Sequence, residues 1–505
     1  MRPETYLLTR FYFQRTLGAI YCVGFLIALN QFRGLCGTKG ILPMPLFIKS
    51  VKFWDAPSLF WINQSDHFVI ALALLGLALS IFATIGFSDA FGTVVSIATW
   101  FLLWLIYSSF VNVGQTFYGF GWEVLLLETG FLAIFMGPSS STASVLLIFL
   151  LRWLLFRLMF GAGLIKIRGD ECWRDLTCMK YHYETMPLPG PTSWFFHQFP
   201  MWIQKASVLF NHFVELVVPF FYFAPRPFRH TAGILTIVFQ GIIILSGNFS
   251  WLNHVSIVIA LACFDDSFFI SLGSKIGPWL LSWAKAMGVS LEGAGAVGTS
   301  AVSTATASLA GVPDPAIYLL TLIVILLSIN PVLNLLSREQ IMNTSFEPLH
   351  IVNTYGAFGS ITRIRNEVII EGAYEPTGPW KEYEFKAKPG NISRLPPLVS
   401  PYHYKLDWQM WFAAMTPYYY HPWILNLVAQ LLQGNSQVLS LMDTNPFPDH
   451  PPKYIRASLY EYHYVLPGEK NWWQRSYKSE YLPPLSLDNP DFLQILRRQG
   501  WLSVE

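Results

Sequence analysis

The chain has 505 residues, of which 53% are hydrophobic and 13% charged, with a formal net charge of +2. A soluble domain of this length carries about 25% charged residues, so this composition leaves too little polar surface to face water and points to a polytopic membrane protein. The near-neutral balance, without basic runs interleaved with stacking aromatics, excludes nucleic acid as a partner.

In chain order, the N-terminus MRPETYLLTRFYFQ leads into an apolar stretch with no small-residue cleavage site and reads as an uncleaved signal anchor. Apolar stretches near 13–32, 67–87, 93–111, 122–137, 145–167, 206–224, 231–247, 251–265 and 316–336 are candidate spans, since a helix needs about 20 residues to cross the hydrocarbon core. Those at 122–137, 231–247 and 251–265 are short. The loop 168–205 interrupts the series with cysteines, aromatics and the run Met186-Pro187-Leu188-Pro189-Gly190-Pro191, a stiff lead-out. The stretch 266–314 reads as a flexible loop rich in small residues. It contains Gly293, Gly295 and Gly298 in dinucleotide-fingerprint spacing, but without the strand and βαβ unit that such a fingerprint requires.

Residues 1–336 therefore form the membrane region, and from Ser337 the pattern changes. NEVIIEGAY and KEYEFKAK alternate with period two between turn residues and predict antiparallel strands. YKLDWQMWFAAM and HPWILNLVAQLLQ have helical period. The fold class expected is a helical membrane bundle of about nine spans, an odd number favoured, followed by an α+β domain over 337–505 with an antiparallel sheet.

Lys and Arg counts do not orient the bundle. With a cytosolic N-terminus, short loops on that side hold seven and those opposite hold eight. Other marks are one-sided. An odd number of crossings puts the sequons at Asn63, Asn248, Asn343 and Asn391 on the far side, together with Cys36, Cys172 and Cys178. Asn63, Asn343 and Asn391 are the glycosylation candidates, because Asn248 falls close to the bilayer. A far side that is lumenal and oxidising allows Cys172 and Cys178 to bond. Two free thiols, or Cys36 paired with one of them, remain open.

Charged side chains inside spans are functional suspects by their cost alone. They are Glu123, Glu128, Arg152, Arg157, Lys166, His212, Glu215 and His254. His212 and Glu215 share a helical face and invite an acid–base reading. The plainer reading is that the acids neutralise Arg152, Arg157 or Lys166 within the bundle. With no hydrolase motif, metal-ligand cluster or phosphate loop, no catalytic, metal or cofactor residues are expected.

The segment 161–200, GAGLIKIRGDECWRDLTCMKYHYETMPLPGPTSWFFHQFP, resembles the signature of the lipase maturation factors. The segment 337–376, beginning SREQIMNTSFEPLHIVNTYGAF, resembles the start of that family's C-terminal region, and PYHYKLDWQMWFAA adds a third match. The signature residues carried over are Gly169, Asp170, Trp173, Arg174, Asp175, Tyr181, His182, Tyr183 and Glu184. The resemblance implies a multi-pass protein of the endoplasmic reticulum membrane, its N-terminus cytosolic and its tail lumenal. It also implies help for secreted lipases of the homodimeric lipoprotein-lipase type in reaching their folded, active state. The expected partners are client lipases, membrane lipids, and the folding or redox machinery of the lumen. A bundle this large is more than an anchor requires, which keeps a membrane-embedded enzyme acting on a lipid or lumenal protein as the alternative. For the signature loop, the expectation is a rigid platform that docks the tail or a client.

Overall fold

The computed structural model describes residues 4–138, 141, 143–286 and 312–502. Among the described residues, seven helices are long and apolar enough to cross a membrane: Leu7–Cys36, Asp66–Ile85, Thr93–Val113, Val145–Arg168, Met201–Phe223, Arg226–Ser246 and Asp314–Leu336. Local signals set their ends. The Ser65 hydroxyl accepts from Phe68 N to start one helix, which stops at Gly86, where φ of +92° is open to glycine.

Two shorter apolar helices lie among the long ones. Gly121–Ile134 has 14 residues, about 21 Å at 1.5 Å per residue, so the span expected at 122–137 is too short to cross the core unaided. Its residues are buried from Gly121 to Gly130, shielded by neighbouring helices. Leu252–Cys263 is shorter still and bends by 105° into a further helix. That helix, Asp266–Ala286, occupies the start of the stretch expected to be a loop; its apolar residues recur at helical spacing, which the run of small residues beyond obscures. The fingerprint glycines Gly293, Gly295 and Gly298 lie outside the described residues.

Contacts show how the segments alternate between two ends of the bundle. At the N-terminal end, Leu8 N donates to Asp266 Oδ1, Arg10 Nη1 to Met136 O and Arg152 Nε to Ala262 O, while Arg226 and Arg229 meet Glu4 and Asp265. At the other end, Gln31 Nε2 donates to His403 O, Asn112 Nδ2 to Pro348 O, Arg168 Nη1 to Gln340 Oε1 and Asn248 Nδ2 to Pro397 O. The tail thus sits on the end opposite the N-terminus, the end that carries the 168–205 loop.

Among the described residues the tail has eight strands: β1 Thr344–Ser345, β2 Asn353–Thr354, β3 Arg365–Ala373, β4 Lys381–Glu382, β5 Glu384–Phe385, β6 Met442–Thr444, β7 Tyr454–Tyr464 and β8 Trp473–Leu485. The main sheet is antiparallel in the order β4-β3-β7-β8, and β1-β2 and β5-β6 form two small ladders. The expected strand KEYEFKAK is split, β4 and β5 joining different sheets on either side of buried Tyr383. The expected helices are Lys405–Ala413 and Trp423–Leu432. β3 is buried on both faces. Val368 and Ile370 join a hydrophobic core that runs without a break from Tyr6 in the bundle to Leu496 in the tail, while Ile369 packs with Tyr462, Tyr464 and Trp473 against Trp194 of the 168–205 loop.

Candidate functional site

The signature loop begins where the Val145–Arg168 helix ends. Arg174 caps that end, its Nη1 donating to Ile167 O and Gly169 O. A Cβ on Gly169 would collide with the carbonyl oxygen of Gly359, so the close approach of loop and tail requires glycine. Asp170 accepts from Cys172 N to cap the short helix Glu171–Arg174. Cys172 and Cys178 are bonded, with Cα atoms 4.7 Å apart. Cys36, raised as an alternative partner, is a buried free thiol whose Sγ donates to Gly114 O.

Nearly every other signature residue faces the tail. Asp170 Oδ1 accepts from Arg363 Nη2 at 2.6 Å, its Oδ2 from Ile361 N, and its own N–H donates to Gly359 O. The Arg363 guanidinium beside it pulls its carboxyl down to about 2. Buried Trp173 donates its indole N–H to Phe358 O at 2.9 Å. Tyr181 lies under the Arg363 guanidinium, 4.8 Å from ring centroid to Cζ. His182 stacks on Phe249 and meets Phe358 edge to face, and its burial, aided by the charge of Lys166, lowers its pKa to about 4. Glu184 accepts from Tyr464 N, and Tyr183 O from Tyr464 OH. Asp175 is exposed.

Two tail residues close the arrangement. Arg365, 1% exposed, donates to the carbonyls of Glu184, Met186 and Pro187 and pairs with Glu367 at 2.5 Å. Trp411 Nε1 donates to Thr185 O. The proline-rich lead-out offers carbonyls but few N–H donors, so a planar fork with several donors suits it. The loop is therefore a fitted bracket for the tail.

The intramembrane charges meet the tail as well. Glu123 and Lys405, both fully buried, pair at 2.5 Å, and Tyr107 donates to the other Glu123 oxygen. Lys405 Nζ lies 3.7 Å from the Tyr118 ring centroid. Glu128 pairs with Arg157 and accepts from Asn353 N, Asn353 Nδ2 and Tyr355 OH, while Arg157 also donates to Asn353 O. Lys166 pairs with Glu215 at 2.5 Å and donates to Asn211. The His212–Glu215 pair suggested by their spacing does not form. A π-turn over Phe213–Val217 alters the spacing, Glu215 goes to Lys166, and His212 Nε2 sits 2.9 Å from Trp173 O. Arg152 donates to Ala262 O and Tyr6 OH.

Sequence reasoning missed Lys405, Asn353, Tyr355, Arg363 and Arg365. PYHYKLDW, with one basic residue in an aromatic run, held the only local hint. Among the sequons, Asn63, Asn343 and Asn391 are exposed. Asn248 is 1% exposed, donating to Pro189 O and Pro397 O and accepting from Val399 N and Ser400 N. Its side chain is occupied in holding the loop and tail together. Among the described residues, no group of three or more His, Cys, Asp or Glu side chains could hold a metal ion.

A helical bundle crossing the membrane many times, with an α+β tail bracketed by a disulfide-bonded loop and by buried ion pairs, defines a polytopic membrane protein with one integral extramembrane domain. Comparison with known proteins gives the family. Residues 8–271 match the lipase maturation factor transmembrane domain, and residues 351–483 match the lipase maturation factor C-terminal domain. Lipase maturation factor 1 of Bos taurus is 45% identical over 524 residues, covering 96% of this chain and 90% of that protein. The Homo sapiens protein of the same name is 42% identical, covering 99% and 91%. Lipase maturation factor 2 of Mus musculus is 31% identical, covering 97% and 84%. The chain belongs to the lipase maturation factor family. No solved structure matches it.

Proposed function

We propose that this protein works in the endoplasmic reticulum membrane, with its N-terminus cytosolic and its tail lumenal, and brings secreted lipases of the homodimeric type to their folded, active state. The observation that carries the reading is membership of the family across nearly the whole chain. Its sidedness is supported by the disulfide and the three exposed sequons, Asn63, Asn343 and Asn391, which share the tail end of the bundle. An oxidising, glycosylating compartment suits both features.

The protein acts as a maturation factor and not as an enzyme. The acids that first suggested chemistry are committed elsewhere: Glu123 to Lys405, Glu128 to Arg157, and Glu215 to Lys166. Glu123 through Lys405, and Glu128 through Asn353 and Tyr355, tie the tail to the bundle, which accounts for a membrane region larger than an anchor. Clients engage the tail held in this fixed pose.

The test compares cells lacking the protein with cells given it back, measuring activity and mass of a secreted homodimeric lipase. The expected result is an activity-to-mass ratio that falls without the protein and recovers with the full chain, but not with a chain ending at residue 336. An unchanged ratio in its absence overturns the proposal.

A further inference from the structure

Where the first helix leaves the membrane, its end and the tail enclose a half-open cleft of about 460 Å³, lined by Asn30, Gln31, Lys386, Tyr402, Tyr404 and Asp407 among others. This volume lies within the usual range for small-molecule sites, about 300–1,000 Å³. Of its lining, Asn30 and Gln31 also bond the tail, at Tyr402 OH and His403 O.

Its depth follows from the helix. Leu7–Cys36 rises about 1.5 Å per residue, and some 20 residues cross the hydrocarbon core of about 30 Å. Counted from Leu7 at the N-terminal end, the core ends near residue 27, so Asn30 stands in the headgroup layer. Tyr12, Thr16, Ala19, Leu26 and Asn30 are exposed along one side of this helix, with Val23 half-buried among them. Their spacing of three and four makes a continuous stripe. An acyl chain lying along it leads directly to the cleft.

The cleft has charge of both signs. Lys386 Nζ donates to Ser440 O at 2.6 Å and has two further N–H groups to offer. Asp407, 1% exposed, accepts from Ala387 N and Lys388 N through Oδ1, and its Oδ2 takes no hydrogen bond among the described residues. Asn30 Nδ2 reaches Tyr402 OH at 3.3 Å, and the Tyr402 and Tyr404 rings lie 5.1 Å apart. A cation, an anion and two aromatic faces in one cleft complement a phosphate linked to an ammonium. A purely anionic ligand would leave Asp407 facing like charge.

We propose that this cleft binds the headgroup of a zwitterionic phospholipid, the phosphate toward Lys386 and Asn30 and the ammonium toward Asp407 and the tyrosines, with an acyl chain along the exposed stripe of the first helix. The lipid bridges bundle and tail from the membrane side. The inference rests on the multi-pass reading and not on any client.

The test uses the full chain reconstituted in vesicles of equal parts phosphatidylcholine and phosphatidylglycerol, extracted in mild detergent, washed exhaustively and weighed intact by native mass spectrometry. The wild type should retain one phosphatidylcholine in preference to phosphatidylglycerol. Lys386→Glu and Tyr404→Ala should each lower that retention at least tenfold with the thermal midpoint unchanged. If Lys386→Glu unfolds the tail, Asn30→Leu at the mouth of the cleft serves instead. Equal retention by wild type and folded variants overturns the site, and so does wild-type preference for phosphatidylglycerol. Soluble glycerophosphocholine should compete at least a hundredfold more weakly than the lipid, and equal competition overturns a membrane source.

Discussion

Replacing Lys405 by Met removes the cation that serves Glu123 while keeping the length of the side chain. Both residues are fully buried, and the pair is 2.5 Å apart. Breaking a buried pair from one side costs about 3–5 kcal/mol, because the remaining charge has neither partner nor water. The Tyr107 hydroxyl stays on Glu123 and offsets part of that, so the lower half of the range is the better figure. At about 2–4 °C per kcal/mol for a domain of this kind, the midpoint of thermal unfolding in detergent should fall by about 6–16 °C. Tryptic release of the tail should begin at correspondingly lower temperature. Combining Lys405→Met with Glu123→Gln removes the orphaned charge and should recover more than half of the loss. A single variant within about 1 °C of wild type, or a double variant no better than the single, would refute the claim that this pair holds tail and bundle together.

Three further outcomes follow from the same arrangement. Replacing Cys172 and Cys178 by Ser opens a closure between residues six apart in sequence, worth about 2 kcal/mol on loop entropy. Membrane insertion should persist while the activity-to-mass ratio of secreted lipase falls, and an unchanged ratio would reduce the loop to a structural trait. Glycosidase treatment should shift the wild type and shift Asn63→Gln and Asn391→Gln less, whereas Asn248→Gln should destabilise without changing the glycan number, since that amide makes four hydrogen bonds within the fold. Tail docking should weaken in two acid steps. His182, held near 4, is neutral in the folded protein, so stability is full above about 6.5 and falls as pH drops toward 4, where an unfolded histidine already binds a proton. Asp170, held near 2 by Arg363, contributes fully above about pH 4 and loses its part only between 4 and 2. His182→Gln should flatten the first step in a pH series of tail release, and Arg363→Gln the second.

Much of this protein is determined by its sequence alone, for local reasons. An apolar run of about 20 residues must lie in lipid or in a core, so the long spans are legible, as are the helices at Lys405–Ala413 and Trp423–Leu432 and strand β3. The 168–205 loop announces itself by residues that no simple connector needs. Its disulfide is short-range, joining residues six apart. Even so, β7 and β8, the longest strands, lie outside the elements expected from the sequence, and their place is set by the pairing of β7 with β3 and of β8 with β7.

What the tertiary structure alone decided is which charges meet. Glu123 and Lys405 are 282 residues apart, Glu128 and Asn353 225, and Asp170 and Arg363 193. No periodicity carries that information. A carboxylate inside an apolar helix announces only that it must be neutralised, and several cations in this chain could have done so. The choice fell to the pose of the tail, which is set by shape: the close approach at Gly169, the carbonyls of the proline-rich lead-out gathered by Arg365, and a hydrophobic core continuous from bundle to sheet. Once packing fixes that pose, Glu123 meets Lys405 and Asp170 meets Arg363.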